Sequence, residues 1–212
     1  AATTPLTVAT VEQAFKEALG APQGAVQLVN MIGPTVARNS IRLLHDGFGG
    51  RFYEPAPLLA ATEAEPFAGL EQGEAQSELV EAVKDRIVGS ALLVAWQLVD
   101  EGAVLEGDEE AARQAIDTAV RLGFACQKGL FAQMDRFGAG RTLALVEAVA
   151  KEYGVEVPES LTRWAEAVQR ETFLEAMEER GQNPGEAIPP GAVGAAATPI
   201  DLLPKLGEIA NV

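Results

Sequence analysis

The sequence predicts an all-α fold: two tandem helical domains forming one bundle, with a Pro/Gly-rich arm at the C-terminus. Three observations predict it. Apolar residues recur at helical spacing along most of the chain with no sustained alternation. Cap-type residues stand where these periodic segments start and stop. A faint self-similarity also relates the chain to itself at a shift of 105 residues.

Taken in order, Thr10 with Gln13 makes a capping-box-like start for a first helix that ends at Gly20. Gly24 enters a short helix that turns at Gly33, and a longer helix over about 35–48 closes at Gly49. The stretch 61–76 carries four Glu, one Pro and two Gly with no basic residue, which predicts a solvated linker. Val80, Val83, Ile87, Ala91, Val94 and Leu98 follow spacings of three and four, while Val88, Leu92, Ala95 and Val99 fill an adjoining row. So broad an apolar face predicts a helix from about Ser77 to Asp100 that is covered by several neighbours. Asp108, followed by two acids suited to the positive end of a helix dipole, opens the next helix, which ends near Gly123. Residues 181–212 hold five Pro and five Gly, too many for a helix, and predict an extended or disordered tail. Ile200, Leu202, Leu203 and Leu206 in that tail are the residues that would dock if it does.

The shift of 105 places Gly24 on Gly129, Gly33 on Gly138 and Gly49 on Gly154, with Val11 on Ile116, Glu12 on Asp117, Asn30 on Asp135 and Phe48 on Tyr153. Only five of 48 pairs between Val8 and Pro55 are identical, but three of the five are glycines at predicted helix ends. The third helix of each copy shows the same face: Ile41, Leu44 and Phe48, then Val146, Val149 and Tyr153. The organisation expected is a first repeat over 1–60, the linker 61–76, a second repeat over 77–180 and the tail 181–212. The long helix precedes copy two, so its counterpart for copy one falls at positions −28 to −5, ahead of residue 1. Phe15, Val26, Ile41 and Leu44 are then expected to leave part of a face uncovered, which invites a partner or a symmetric dimer.

Composition narrows the function. Sixteen Lys and Arg against 31 Asp and Glu give a formal charge of −15, which excludes an ordinary nucleic-acid binder because phosphates cannot be neutralised. One Cys excludes a disulfide framework, and one His removes most routes to a zinc site or a Ser-His-Asp triad. The most apolar run, Ile87 to Val99, has 13 residues, short of the roughly 20 needed to span a bilayer. The start, Ala1-Ala2-Thr3-Thr4-Pro5, lacks the basic and apolar regions of a secretory leader, so the expectation is a cytoplasmic protein with no membrane span and no metal.

Several residues invite a chemical reading and receive a plainer one. His45 lies on the third helix with Asp46 about 100° away around it, and reads as a surface or helix-end His. Cys126 lies before Gly129 near Lys128 and reads as a small semi-buried residue rather than a nucleophile. The acidic groups Glu63-Glu65, Asp108-Glu109-Glu110 and Glu175-Glu178-Glu179 read as solvated faces and helix starts, and Trp96 and Trp164 as core or interface.

The stretch from Pro22-Gln23-Gly24-Ala25-Val26 through Asn30-Met31-Ile32-Gly33, with Thr35-Val36-Ala37 and Phe48-Gly49-Gly50-Arg51-Phe52-Tyr53-Glu54-Pro55-Ala56-Pro57-Leu58-Leu59, resembles the helical C-terminal domain of the L-3-hydroxyacyl-CoA dehydrogenases. Glu101-Gly102-Ala103-Val104, Asp108 to Gly123, Gly129-Leu130-Phe131, Met134-Asp135 and Gly138 resemble it again. The positions matching family motifs are Pro22, Gly24, Asn30, Gly33, Gly129, Asp135 and Gly138, with structural or substrate-facing roles.

The resemblance implies the substrate-covering and dimerisation region of an NAD-dependent 3-hydroxyacyl-CoA dehydrogenase (an oxidoreductase) of fatty-acid β-oxidation. Its cofactor and catalytic residues sit on a Rossmann domain, and no G-x-G-x-x-G between a strand and a helix stands in this chain. The chain alone is therefore expected to bind no NAD and to be inactive, with no catalytic, cofactor-binding or metal-binding residue of its own. Acyl-CoA, a second copy or the cofactor domain would be its partners. Where the family carries an Asn-Arg pair at the start of its first helix, copy two reads Lys84-Asp85-Arg86, so no catalytic role passes to Asp85. The alternative reading is a non-catalytic helical adaptor or dimerisation module derived from that family.

Overall fold

Thr7 opens the first helix. The computed structural model describes residues 6–56, 59, 73–102 and 108–179. Helix α1 spans Val8–Leu19, and the Thr7 hydroxyl caps it by accepting the N–H of Thr10 at 3.2 Å. The cap therefore sits three residues ahead of the expected Thr10. Thr10 is instead fully buried, and its hydroxyl meets the backbone N–H of Gln76 at 2.9 Å, a contact that no local pattern encodes. Gly20 ends α1 in the left-handed region (φ 63°). Helices α2 (Ala25–Ile32) and α3 (Pro34–Phe48) follow, joined at Gly33, whose φ of 91° favours glycine. A 3-10 turn, Arg51–Tyr53, completes the first unit.

Helix α4, Ser77–Asp100, takes the bounds its apolar periodicity predicts. Helix α5, Glu109–Phe124, starts behind Asp108, whose carboxylate accepts the N–H of Ala111 at 2.9 Å. It ends one residue beyond the expected Gly123, and Ala125 takes the left-handed position (φ 52°) that Gly20 occupies after α1. Helices α6 (Phe131–Phe137), α7 (Ala139–Tyr153) and α8 (Glu159–Glu179) complete the described elements. The predicted linker up to residue 72 and the tail 181–212 lie outside the described residues.

Adding 105 to the bounds of α3 gives the bounds of α7. Gly33 donates to the carbonyl of Val29 and Gly138 to that of Met134, each at 2.9 Å, so the turns match as well. Among the described residues all regular structure is helical. The core forms where α4 is covered from several sides: Leu92, Leu93 and Trp96 are fully buried with Met134, Val146, Val149 and Leu161. Burying each such side chain stabilises the fold by about 1.5–3 kcal/mol. On its N-terminal half α4 meets α1, where Ala14 packs on Val80 and Val83. On another face it meets α7 so closely that a Cβ on Gly89 would lie 2.6 Å from the Leu145 carbonyl oxygen. One helix thus serves the cores of both predicted repeats.

Candidate functional site

The motif glycines divide into two kinds. Gly24 has an ordinary φ of −83°, and it is glycine because the Glu12 carboxylate occupies the space a Cβ would need. That carboxylate accepts the N–H of Val26 at 2.6 Å and caps α2, whose Gly24 has no side chain to do so. Gly129 stands against Asp117 in the same way, and Asp117 accepts the N–H groups of Phe131 at 2.8 Å and Ala132 at 2.9 Å. Gly33 and Gly138 are the other kind, with φ of 91° and 74° at the turns. Pro22 is exposed between α1 and α2, and Asn30 is half-buried on α2. Asp135 stands on α6, its side chain outside what is described. The motif glycines thus stand at two helix starts and two turns, where they let the backbone and the capping carboxylates come together.

At the position of the family's Asn-Arg pair, Asp85 pairs with Arg141 at 2.7 Å. Arg86 grips Glu152 with two hydrogen bonds of 2.5 and 2.7 Å and meets the Tyr153 hydroxyl at 2.6 Å. Burial pulls the guanidinium pKa down, and the hydrogen bonds and charge of Glu152 and Tyr153 more than offset this, so it titrates above its ordinary value. These carboxylate caps and the Arg86 cluster are the polar arrangements that a reading of the sequence for chemistry does not pick out. The pairing of Glu12 with Asp117 at the 105-residue shift was the available signal for the caps.

His45 is half-buried in the last turn of α3, and its Nδ1 has no hydrogen-bond partner. Cys126 is buried, and burial pushes its thiol up, away from a reactive thiolate. Trp96 is core, stacked edge-on with Phe131 and tilted against Trp164. Among the described residues no group of three His, Cys, Asp or Glu is placed to hold a metal ion, and no helix is long and apolar enough to cross a membrane.

Two clefts remain. An open one of 990 Å3 lies between the end of α4 and the start of α8 and is lined by Asp100, Glu101, Glu109, Glu156 and Glu159. Its one cation, Arg163, pairs with Glu109 at 2.6 Å, and Asp100 caps α8 through the N–H of Glu159 at 2.7 Å. Such a wall repels phosphates and does not fit the pyrophosphate of a dinucleotide or of CoA. The other, of 410 Å3, is an apolar groove between α1, α4 and α5, bounded by Phe15, Leu19, Ile87, Ala91, Val120 and Phe124. Phe15, expected on a partly uncovered face, is half-buried and lines this groove, edge-on to Phe124 with ring centroids 6.3 Å apart. Val26 and Ile41 are half-buried. The uncovered apolar residues of the first unit are Met31, Ile32, Val36, Leu43, Leu44 and Phe48.

No curated protein and no solved structure matches the chain. The family model described as 3-hydroxyacyl-CoA dehydrogenase, C-terminal domain, matches residues 2–78. That span contains α1 to α3, the Glu12 cap on α2 and the Gly33 turn, so the N-terminal third of this chain is similar to the 3-hydroxyacyl-CoA dehydrogenase C-terminal domain.

Proposed function

We propose that the chain is the C-terminal helical region of an NAD-dependent 3-hydroxyacyl-CoA dehydrogenase of fatty-acid β-oxidation, acting in the cytoplasm. In this reading it covers the acyl-CoA substrate and contributes to a dimer. NAD binding and hydride transfer reside on a domain outside these 212 residues. The observation that carries the reading is the family match over residues 2–78. Its companion is the recurrence of the same caps and turns 105 residues later, which supports a second copy of the domain beyond the matched span.

The chemistry of the clefts supports this division of labour. The apolar groove suits an acyl chain, and its Arg86 is already engaged by Glu152 rather than free for a phosphate. The acidic cleft leaves the phosphates of CoA and NAD to be met elsewhere.

The test combines an assay with a titration. The purified 212-residue chain, given NAD and a 3-hydroxyacyl-CoA, is expected to produce no NADH, and calorimetric titration with long-chain acyl-CoA is expected to show binding that Ala91→Glu in the groove weakens. Steady NADH production by the chain alone would overturn the placement of the chemistry. The pairing of Asp85 with Arg141, where the family carries Asn, favours a second reading, a helical adaptor that keeps the packing without the substrate. Absence of any acyl-CoA binding, alone or with a cofactor domain supplied, would favour it.

A further inference from the structure

Each unit leaves one apolar face open, and each open face has a buried counterpart 105 residues away. On α7, Leu145, Val146 and Val149 are buried against α4, with Val149 only 1% exposed. Their counterparts on α3 are Ser40, Ile41 and Leu44; Ser40 is exposed, Ile41 half-buried, and Leu44 is 41% exposed. Val36, Leu43 and Phe48 extend this surface, and α3 packs mainly on α2 and the 3-10 turn.

The second face lies on the other unit. Thr10, Ala14 and Ala18 form a stripe of small residues on α1, all buried where that helix lies along α4. Their counterparts on α5 are Ala115, Ala119 and Gly123, of which the last two are exposed. Leu122, beside that stripe, is 80% exposed. Small residues at spacings of four let helix backbones approach closely, and on α1 that approach is made.

Both buried counterparts close on the same helix. Helix α4 lies between α1 of the first unit and α7 of the second, so each unit lends a face to it. Exchanging the units puts the uncovered stripe of α5 and the uncovered face of α3 in the corresponding places around a helix that is not among the described elements.

We propose that α3 and α5 together form the seat of one further helix of the α4 kind, entering the polypeptide ahead of α1. Its length follows α4, about seven turns, with a small residue at the crossing on α3 where α4 carries Gly89. The connection 101–108 leads from α4 into α5, and the same connection one repeat earlier leads into α1. One helix would thus cover Leu44, Phe48, Ala119 and Leu122 together. The proposal rests on the 105-residue correspondence and not on the dehydrogenase reading, which stands or falls with NADH and acyl-CoA assays.

A gain-of-structure experiment tests it. A copy of residues 77–107 is joined directly ahead of residue 3, which restores the 105-residue register. Leu44→Cys and Ala119→Cys, each in a Cys126→Ala background, report coverage through their rates of alkylation. The extension is expected to slow both rates at least tenfold and to raise Tm. Ala119→Glu is expected to lower the Tm of the extended protein while leaving that of the 212-residue chain unchanged. Unchanged alkylation at both sites, or protection of one site only, overturns the proposal. Sedimentation of the 212-residue chain as a dimer that Leu44→Glu dissolves would make a second copy the occupant and overturn it equally.

Discussion

The carboxylates of Glu12 and Asp117, 105 positions apart, each accept the backbone N–H of the residue two places beyond a buried glycine: Val26 at 2.6 Å and Phe131 at 2.8 Å. The first turn of a helix has N–H groups with no intrahelical acceptor, and a carboxylate there also meets the positive end of the dipole. Glycine opens the space for the carboxylate, so the pair works as a unit. Asp117, one methylene shorter, reaches two N–H groups where Glu12 reaches Val26.

The two units therefore differ in how they tolerate a methyl group. A Cβ at Gly24 meets only the far end of the flexible Glu12 side chain, whereas one at Gly129 meets the Cβ and Cγ of Asp117, close to the backbone. Gly24→Ala is expected to cost about 1 kcal/mol, the worth of a displaced cap, and Gly129→Ala about 2–3 kcal/mol. Urea denaturation measures both. In a double-mutant cycle, Asp117→Ala is expected to recover part of the Gly129→Ala loss, because the collision leaves with the carboxylate.

What the sequence reveals of this fold follows the range of the interactions that decide it. The bounds of α4 were legible because its apolar rows are set by burial along the helix itself. The start of α1 was not: Thr7 and Thr10 both suit a cap, and what selects Thr7 is the bond from Gln76 to Thr10, 66 residues away. The glycine positions could be read as turns or close approaches, but which was which depended on where Glu12 and Asp117 lie after the helices pair. Arg86 with Glu152 and Asp85 with Arg141 join α4 to α7 and leave no mark at local spacing. The partial cover of Phe15 is just as non-local, since it comes from Phe124, 109 residues along the chain.

Ala125 carries the clearest local strain. It follows α5 at φ 52° and ψ 32°, close to the φ 63° and ψ 28° of Gly20 after α1. A left-handed conformation costs a residue with a Cβ about 1–2 kcal/mol. Glycine escapes this cost but loses about 0.4–1 kcal/mol through its freer unfolded chain. Ala125→Gly is therefore expected to stabilise the protein by about 0.5–1 kcal/mol, seen as a rise in the urea midpoint with no change in slope. The reverse change, Gly20→Ala, should destabilise by a similar amount.

Arg86 and Glu152 form a half-buried pair at 2.5 Å with about a fifth of each side chain exposed. Removing one partner leaves the other's charge unanswered in poor solvent. Glu152→Ala is expected to cost about 2 kcal/mol, below the 3–5 kcal/mol typical of fully buried pairs, because water still reaches this one. Replacing both residues, as Arg86→Met with Glu152→Leu, is expected to restore most of the loss. Thermal or urea unfolding of the three variants measures the difference, and a double variant no better than Glu152→Ala alone would mean the pair is needed for packing rather than for charge balance.

The thiol of Cys126 gives the pH dependence its sign. Burial raises its pKa above the ordinary thiol value, so the folded state holds the proton to higher pH than the unfolded state does. Between those two values the unfolded chain binds fewer protons, and stability falls as pH rises. The urea midpoint is thus expected to decline above about pH 8.5, where an unfolded thiol begins to ionise. Cys126→Ala is expected to flatten the decline, with the remainder due to Tyr53, whose hydroxyl is also raised by burial and by the charge of Glu101. Reaction with a disulfide reagent at pH 8 checks the same point kinetically: it should be slow in the folded protein and fast in denaturant, and a fast native reaction would mean that Cys126 is open to solvent.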